Sequence, residues 1–265
     1  MHKALTIAGS DCSGGAGIQA DLKTFTAFGV FGMSALTAVV AENTVGVQAV
    51  FDLPVDLVVR QIASCIEDIG ADAVKIGMLS NPGIVTAVAE SIRRHRLSNV
   101  VVDPVMVAKS GDPLLSEKAQ GTIATELLPL ARVITPNRFE AEALTGMEIV
   151  TIADMKDAAA RLKDTGCEWV VVKGGHVEAS GRAVDIAYDG HRMHELAAPV
   201  VDTTSTHGTG CTFSSAIAAS LARGRDPLAA IEQAKRYITR AIQEGPAIGH
   251  GHGPTNHLVG VTSSW

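Results

Sequence analysis

The stretch "AVKIGMLSNPGIVTAVAESIRRHRLSNVVVDPV", residues 73–105, contains one full unit of the pattern that sets the fold. Ala73–Ile76 and Val100–Val102 are short runs rich in β-branched residues, the signature of buried strands. Between them, Asn81-Pro82 predicts a helix start, and "NPGIVTAVAESIRRHRL" carries apolar residues at helical spacing. Strand, helix and strand in that order predict two parallel strands joined by a crossover helix.

Outward from this unit the rhythm persists. Further strands are predicted at Ala4–Ala8, Ser34–Val40, Val133–Thr135 and Trp169–Val172. Helical patterns run through "PVDLVVRQIASCIEDIG", "SEKAQGTIATELLPLA" and "TIADMKDAAARLKDTG". Thr151 reads as a helix start, and Gly70 and Gly166 read as stops. Two segments depart from the rhythm. "FGMSALTAVVAENTVGVQAVFDL" leaves no room for a helix between its apolar runs, and Asp189-Gly190 sits between two alternating segments as a hairpin signal. The expectation is a three-layer α/β fold with a mainly parallel central sheet flanked by helices, in one domain spanning residues 1–265.

Composition narrows the function. The chain has 265 residues, 46% apolar and 4% aromatic, with a formal charge of −6 and no clustering of Lys and Arg. That balance argues against nucleic acid or an anionic membrane surface as the main partner. Cys12, Cys65, Cys167 and Cys211 lie far apart without a C-x-x-C pair, as reduced thiols of a cytoplasmic protein do. No run reaches membrane-spanning length, and the N-terminus lacks a signal-peptide pattern.

Five motifs stand at predicted strand ends or helix starts. In "TSTHGTGCTFSSAIAASLA", Thr206, Gly208, Thr209 and Gly210 precede a helix. Bare amides and a positive dipole end make an anion site there, with Cys211 in a first turn expected to lower its thiol pKa; a plain Gly-rich turn with a buried, inert cysteine fits equally. "GSDCSGGAGIQAD" follows the first strand. It matches a dinucleotide fingerprint only loosely, because Gly15 stands too far from the strand. Asp103 ends a strand in "VVVDPVM", where open α/β sheets bind ligands, although Asp-Pro also makes an ordinary turn. In "ITPNRFEAEALTG", Asn137 and Glu140 form a capping pair or, alternatively, hold Mg²⁺ through water. "VVVKGGH" ends a strand with Lys173, Gly174 and Gly175, a cation and two bare amides suited to phosphate. His250, His252 and His257 cluster in a Gly-rich tail that lacks metal-site spacing.

Together with "AENTVGVQ", "AVKIGML" and "GHGHGPTNHL", these motifs resemble the hydroxymethylpyrimidine and phosphomethylpyrimidine kinases of thiamin biosynthesis, members of the ribokinase-like superfamily, from about Ala4 to Leu258. The resemblance implies transfer of phosphate from ATP, with Mg²⁺, to the hydroxymethyl group of an aminopyrimidine and then to its monophosphate. It implies Cys211 as general base, with Gly208 and Gly210 donating amides to the transferring phosphate and Lys173 balancing its charge. Lys173, Gly175, Thr206, Gly208 and Thr209 would contact nucleotide, and Asn137, Glu140 and Asp103 would position Mg²⁺. The pyrimidine pocket is expected from Gly9, Asp11, Ala16, Gly17, Val40, Glu42, Met78 and Val105.

At residue 42 many family members have glutamine, which both donates and accepts, whereas an ionised glutamate only accepts. Either Glu42 or the ring then holds a proton, or the substrate differs. A pyridoxine or pyridoxal kinase of the same fold is therefore the nearest alternative. A non-catalytic pyrimidine-binding protein and a dinucleotide-dependent dehydrogenase stand further off. The family further implies a homodimer, and Val107–Ser116 is a candidate lid.

Overall fold

The computed structural model describes residues 1–106, 117–175, 177 and 181–261, so the candidate lid lies outside the described residues. The chain begins β1 (Lys3–Asp11), α1 (Gly17–Ala27), β2 (Phe31–Asn43) and β3 (Gly46–Asp52), then α2 (Val55–Asp68) and β4 (Ala73–Ile76). It continues through α3 (Pro82–His95), β5 (Val100–Val102), α4 (Glu117–Thr122), β6 (Val133–Ile134), α5 (Arg138–Thr145), α6 (Ile152–Lys163) and β7 (Trp169–Val172). β8 (Arg182–Tyr188), β9 (Met193–Pro199), α7 (Thr209–Ala222) and α8 (Pro227–Gln243) complete the order. The expected helix at 116–131 is broken: past Thr122 it widens to a π turn, Ile123–Leu127, and tightens to a 3₁₀ turn, Leu128–Leu130.

The nine strands form one sheet in the order β3-β2-β1-β4-β5-β6-β7-β8-β9. β2, β1, β4, β5, β6 and β7 run parallel. β3 is antiparallel to β2, and β8 and β9 are antiparallel at the opposite edge. Both segments that break the βαβ rhythm therefore form antiparallel pairs at opposite edges, as their lack of helix pattern predicts.

Strand periodicity divides the core into two layers. Leu5, Ile7, Val74, Ile76, Val100 and Val102 pack on one face with Val58 and Ile62 of α2, Ile84 and Val88 of α3, and Met155 of α6. Ala4, Ala73, Val101, Val133 and Val171 face the other way, against Phe25 of α1, Phe213 and Ile217 of α7, and Ile231 and Ile238 of α8. α7 is buried on nearly every side. Its Ala216, Ala218, Ala219 and Ser220 are small enough to let it lie close to the sheet.

One polar cluster interrupts this second layer. Lys75 of β4 and Asp21 of α1 are both fully buried, with Nζ 2.9 Å from Oδ2. Thr6 of β1 and Ser215 of α7 each donate to the same carboxylate at 2.6 Å. Burial alone would lower the Lys75 pKa, but the charges of Asp21 and Asp103 outweigh it and raise it. Lys75→Met leaves a buried carboxylate without its cation and is expected to cost about 3–5 kcal/mol in urea unfolding. The double variant Lys75→Met/Asp21→Asn is expected to recover most of that loss.

Candidate active site

The parallel strands deliver their C-terminal ends to one crevice, and the start of α7 points into it. Asp11 closes β1, Asp103 follows β5, Asn137 follows β6 and Lys173 follows β7, the last two joined by an isolated parallel bridge. The structure thus gathers the residues singled out from sequence at the place where open α/β sheets bind ligands.

α7 begins without a side-chain cap; its N-cap is Gly208, at φ 75°. A methyl there would overlap the Gly15 carbonyl oxygen, so the glycine-rich loop and the start of α7 meet backbone to backbone. Gly210 is more loosely constrained, since a Cβ would lie 3.2 Å from Lys173 Nζ and 3.3 Å from Asp103 Oδ2, both side-chain ends. Thr209 Oγ1 donates to the Thr206 carbonyl at 2.7 Å, which shapes the turn before the helix. Thr209 N–H turns back to the Thr206 carbonyl at 3.3 Å, which leaves the N–H groups of Gly210 and Cys211 as the first-turn donors for an anion, with a lysine ammonium alongside.

Cys211 departs from expectation. Its half-buried thiol is pushed up to about 11 by burial; Lys75 lowers it, and the carboxylates of Asp21 and Asp103 raise it further. The resting residue is therefore a protonated thiol, not the low-pKa one that a helix start suggests. Burial beside two carboxylates outweighs one lysine and the hydrogen bond from the Gly17 amide.

Lys173 Nζ lies 2.7 Å from Asp103 and 4.0 Å from Glu140. Burial alone would lower its pKa, but these two carboxylates keep it raised. Thr135 donates to Asp103 at 3.0 Å, and Ser214 of α7 reaches its other oxygen at 3.4 Å. Asn137 and Glu140 form the capping box expected of them: Asn137 N–H donates to Glu140 Oε2 at 2.7 Å, and Glu140 N–H donates to Asn137 Oδ1 at 3.0 Å. Burial raises Glu140 to about 7 despite Lys173. Two buried carboxylates facing one ammonium form a hard-oxygen, net-negative donor set, which fits Mg²⁺. Asp103 and Glu140 would hold the ion, with Asn137 fixing Glu140. Gly174 lies against the Val184 carbonyl, and its N–H donates to Asp185 at 2.9 Å, which sets the turn that carries exposed Gly175.

The opposite side of the crevice is apolar. Ala38, Val40 and Met78 form a small cluster with Val47 and Val105, so three expected pocket residues do come together. Gly9 sits at a register shift between β1 and β2, and a Cβ there would meet Met78 Cε at 2.6 Å. Gly17 abuts the Gly9 carbonyl. Asp11 serves the fold of the loop: it accepts from the amides of Ser13, Gly15 and Ala16 and lies 2.8 Å from His207 Nε2. Burial alone would raise its pKa, but these hydrogen bonds hold the carboxyl below the usual carboxylate range. Glu42 stands beside it, raised to about 7 by burial and by the Asp11 charge, with His207 opposing.

Sequence reading overlooked His207 and Lys75. The signals were a histidine directly ahead of Gly208 and a lysine inside a strand otherwise apolar on both faces. The histidine-rich tail has a structural task. His207 N–H donates to the Gly253 carbonyl, Thr255 N–H donates to the His207 carbonyl, and His252 N–H donates to the Thr44 carbonyl. His250 and His252 are exposed and His257 is buried; the three form no metal cluster among the described residues.

Comparison with known proteins gives a consistent neighbourhood. The phosphomethylpyrimidine kinase family matches residues 11–256. A hydroxymethylpyrimidine/phosphomethylpyrimidine kinase from Bacillus subtilis is 46% identical over 98% of this chain and 96% of its own. A pyridoxine kinase from the same organism is also 46% identical, over 97% of this chain and 96% of its own. An ADP complex of Bacillus subtilis pyridoxal kinase superposes with a TM-score of 0.93 at 46% identity, covering 99% of this chain and all of that one.

Backbone contact at Gly208 gives a direct check of the site. Gly208→Ala is expected to lower stability by about 1–3 kcal/mol through overlap at a positive φ. Gly175→Ala, with nothing within 4 Å of its Cβ position, should stay within about 0.5 kcal/mol of the parent in the same urea titration.

Proposed function

This chain belongs to the phosphomethylpyrimidine kinase family, and from that premise we propose that it phosphorylates 4-amino-5-hydroxymethyl-2-methylpyrimidine and then its monophosphate, with ATP and Mg²⁺, in thiamin biosynthesis. The observation that carries the reading is the uncapped start of α7, aimed at the Lys173–Asp103 pair across from an apolar pocket. A pyrimidine ring sits against Val40, Met78 and Val105, and Glu42 reads its polar edge. Gly9, Asp11, Ala16 and Gly17 shape that pocket through the glycine-rich loop. Thr206, Thr209 and Gly175 line the approach of the nucleotide phosphates.

Phosphoryl transfer asks mainly for positioning and charge neutralisation. The amides of Gly208, Gly210 and Cys211 with the Lys173 ammonium supply both around the transferring group. Asp103 and Glu140, with Asn137 behind them, would hold Mg²⁺, which would supply further charge neutralisation. Cys211 is the general base for the hydroxymethyl proton. Its resting thiol must first give its proton to solvent, a step that Lys75 and the Gly17 amide favour; the thiolate then takes the hydroxymethyl proton as that oxygen bonds to the γ-phosphorus and ADP leaves.

The chain is one kinase domain, since a single sheet takes strands from Lys3 through Pro199 and α7 and α8 pack back on it. Its four thiols are free, which fits a cytoplasmic enzyme. It works as a homodimer through the β2–β3 edge, where Val39, Val50 and Phe51 are exposed. No helix among the described residues is long and apolar enough to cross a membrane.

The pyridoxine kinase alternative is supported by the pyridoxine kinase relative of equal identity, by the fit to the pyridoxal kinase structure and by Glu42. Parallel ADP-release assays with hydroxymethylpyrimidine, its phosphate and pyridoxine separate the two readings. Preference for the pyrimidines is expected; a pyridoxine kcat/KM about tenfold higher would overturn the proposal, since tenfold is about 1.4 kcal/mol of transition-state discrimination. Cys211→Ser is expected to lower kcat by about 10²–10⁴-fold while pyrimidine Kd changes little. An unchanged kcat removes the base assignment.

A further inference from the structure

β7 stops pairing with β8 where the nucleotide side of the crevice begins. Val170, Val171 and Val172 pair in register with Tyr188, Ala187 and Ile186. Just beyond, the ladder ends, because Gly174 runs so close to the Val184 carbonyl that any Cβ would overlap it. The Gly174 N–H turns instead to the side chain of Asp185, donating to Oδ1 at 2.9 Å. The residues on either side of Gly174, Lys173 and Gly175, are the ones that the kinase reading gives to phosphate.

Strand alternation explains how a carboxylate reaches this point. Val184 and Ile186 pack into one core layer, and Asp185 faces the other, on the side of Ala187 and α8. There Lys235 of α8 donates to Asp185 Oδ2 at 2.8 Å and to the Ala183 carbonyl at 3.2 Å. The Asp185 side chain is 8% exposed and that of Lys235 12%, so the pair is shielded from water. One carboxylate oxygen serves the turn and the other serves the ammonium. A lone buried carboxylate would be costly to keep and would repel phosphate; matched by Lys235, it offers an acceptor without net charge. The turn is fixed on its other sides too. Lys173 N–H donates to the Pro136 carbonyl at 2.8 Å, and Val177 N–H donates to the Gly174 carbonyl at 3.0 Å.

Resting on the kinase reading above, we propose that Asp185, paired with Lys235, is a positioning residue for the nucleotide, fixing the Gly174 turn so that the Lys173 ammonium and the Gly175 amide meet the phosphates together. Asp185 touches no substrate and acts through one backbone amide. Free to rotate, the Gly174 peptide would carry the Gly175 amide away from Lys173, and phosphoryl transfer relies on placement more than on covalent help. The pyrimidine pocket hangs on different ties, those of Asp11 to the glycine-rich loop and to His207. The two halves of the site therefore respond separately to loss of Asp185.

Steady-state kinetics with each substrate varied in turn, and calorimetric titration of AMP-PCP with Mg²⁺, read this split. Asp185→Ala should raise KM for ATP and Kd for AMP-PCP about 10-fold, the loss of one hydrogen bond to a charged acceptor, and should lower kcat. KM for hydroxymethylpyrimidine should stay within about twofold of the parent, as expected of a pocket that shares no partner with Asp185. Asp185→Asn/Lys235→Gln keeps an acceptor for Gly174 and a neutral partner for residue 185, and should restore most of the nucleotide affinity. Lys235→Met leaves a bare carboxylate near the phosphates and should weaken AMP-PCP about fivefold, again sparing the pyrimidine. Amide hydrogen exchange on the parent needs no variant: Gly174 N–H should be protected in the free protein, and Gly175 N–H should become protected when AMP-PCP binds. A folded Asp185→Ala with unchanged nucleotide constants, an equal rise in both KM values, no recovery in the double variant or a fast-exchanging Gly174 overturns the inference and leaves the kinase reading standing. Should Asp185→Ala fail to fold, Lys235→Met and the exchange measurement decide. AMP-PCP binding without turnover fails the kinase reading alone, and the Kd comparison still judges Asp185. A parent that neither binds AMP-PCP nor releases ADP with hydroxymethylpyrimidine or pyridoxine overturns both.

Discussion

The contact on which the rest of the site depends is the one between Asp11 and His207, 196 positions apart in the chain. Asp11 gathers three amides of the glycine-rich loop onto its carboxylate, and through His207 it fastens that loop to the segment leading into α7. The backbone contact between Gly208 and Gly15 follows from that tie. Without it the uncapped helix start and the ring pocket would have no fixed distance between them, and catalysis by positioning is sensitive to errors of about 1 Å.

A second buried network stands behind the first. Lys75 and Asp21 join β4 to α1, and Thr6 and Ser215 bring β1 and α7 into the same cluster. The four elements that frame the crevice are thus pinned from below by a pair of charges, both of which also bear on Cys211. Such a pair contributes little net stability compared with apolar packing, but it specifies which elements meet. The tail from Gly249 to Thr255 works from outside, holding Thr44 and His207 through backbone hydrogen bonds.

Much of the fold was legible because the parallel strands are buried on both faces and read as continuous apolar runs, as Val100–Val102 does. The helix caps at Asn81, Asn137 and Thr151 were equally plain, and each makes its expected hydrogen bond. α1 was hidden because its core-facing side carries Asp21 and Thr24, which break the apolar stripe. α8, with a regular stripe of Ala230, Ile231, Ala234 and Ile238, was readable and went unassigned. At the site, residue identities were legible from motifs but their electrical state was not. The acidity of Cys211 is set first by its burial and then by Lys75, Asp21 and Asp103, which no local spacing brings together. Asp11 looked like a ring contact, yet the partners that claim its oxygens include a histidine from the far end of the chain.

The weak acidity of the Cys211 thiol bears on the enzyme's durability. Peroxide and electrophiles attack thiolates, and a group titrating near 11 leaves only about one molecule in ten thousand in that form at neutral pH. The cysteine at the centre of the proposed chemistry is thereby shielded from oxidative damage while the enzyme is idle, a passivation that a permanently activated sulfur would lack.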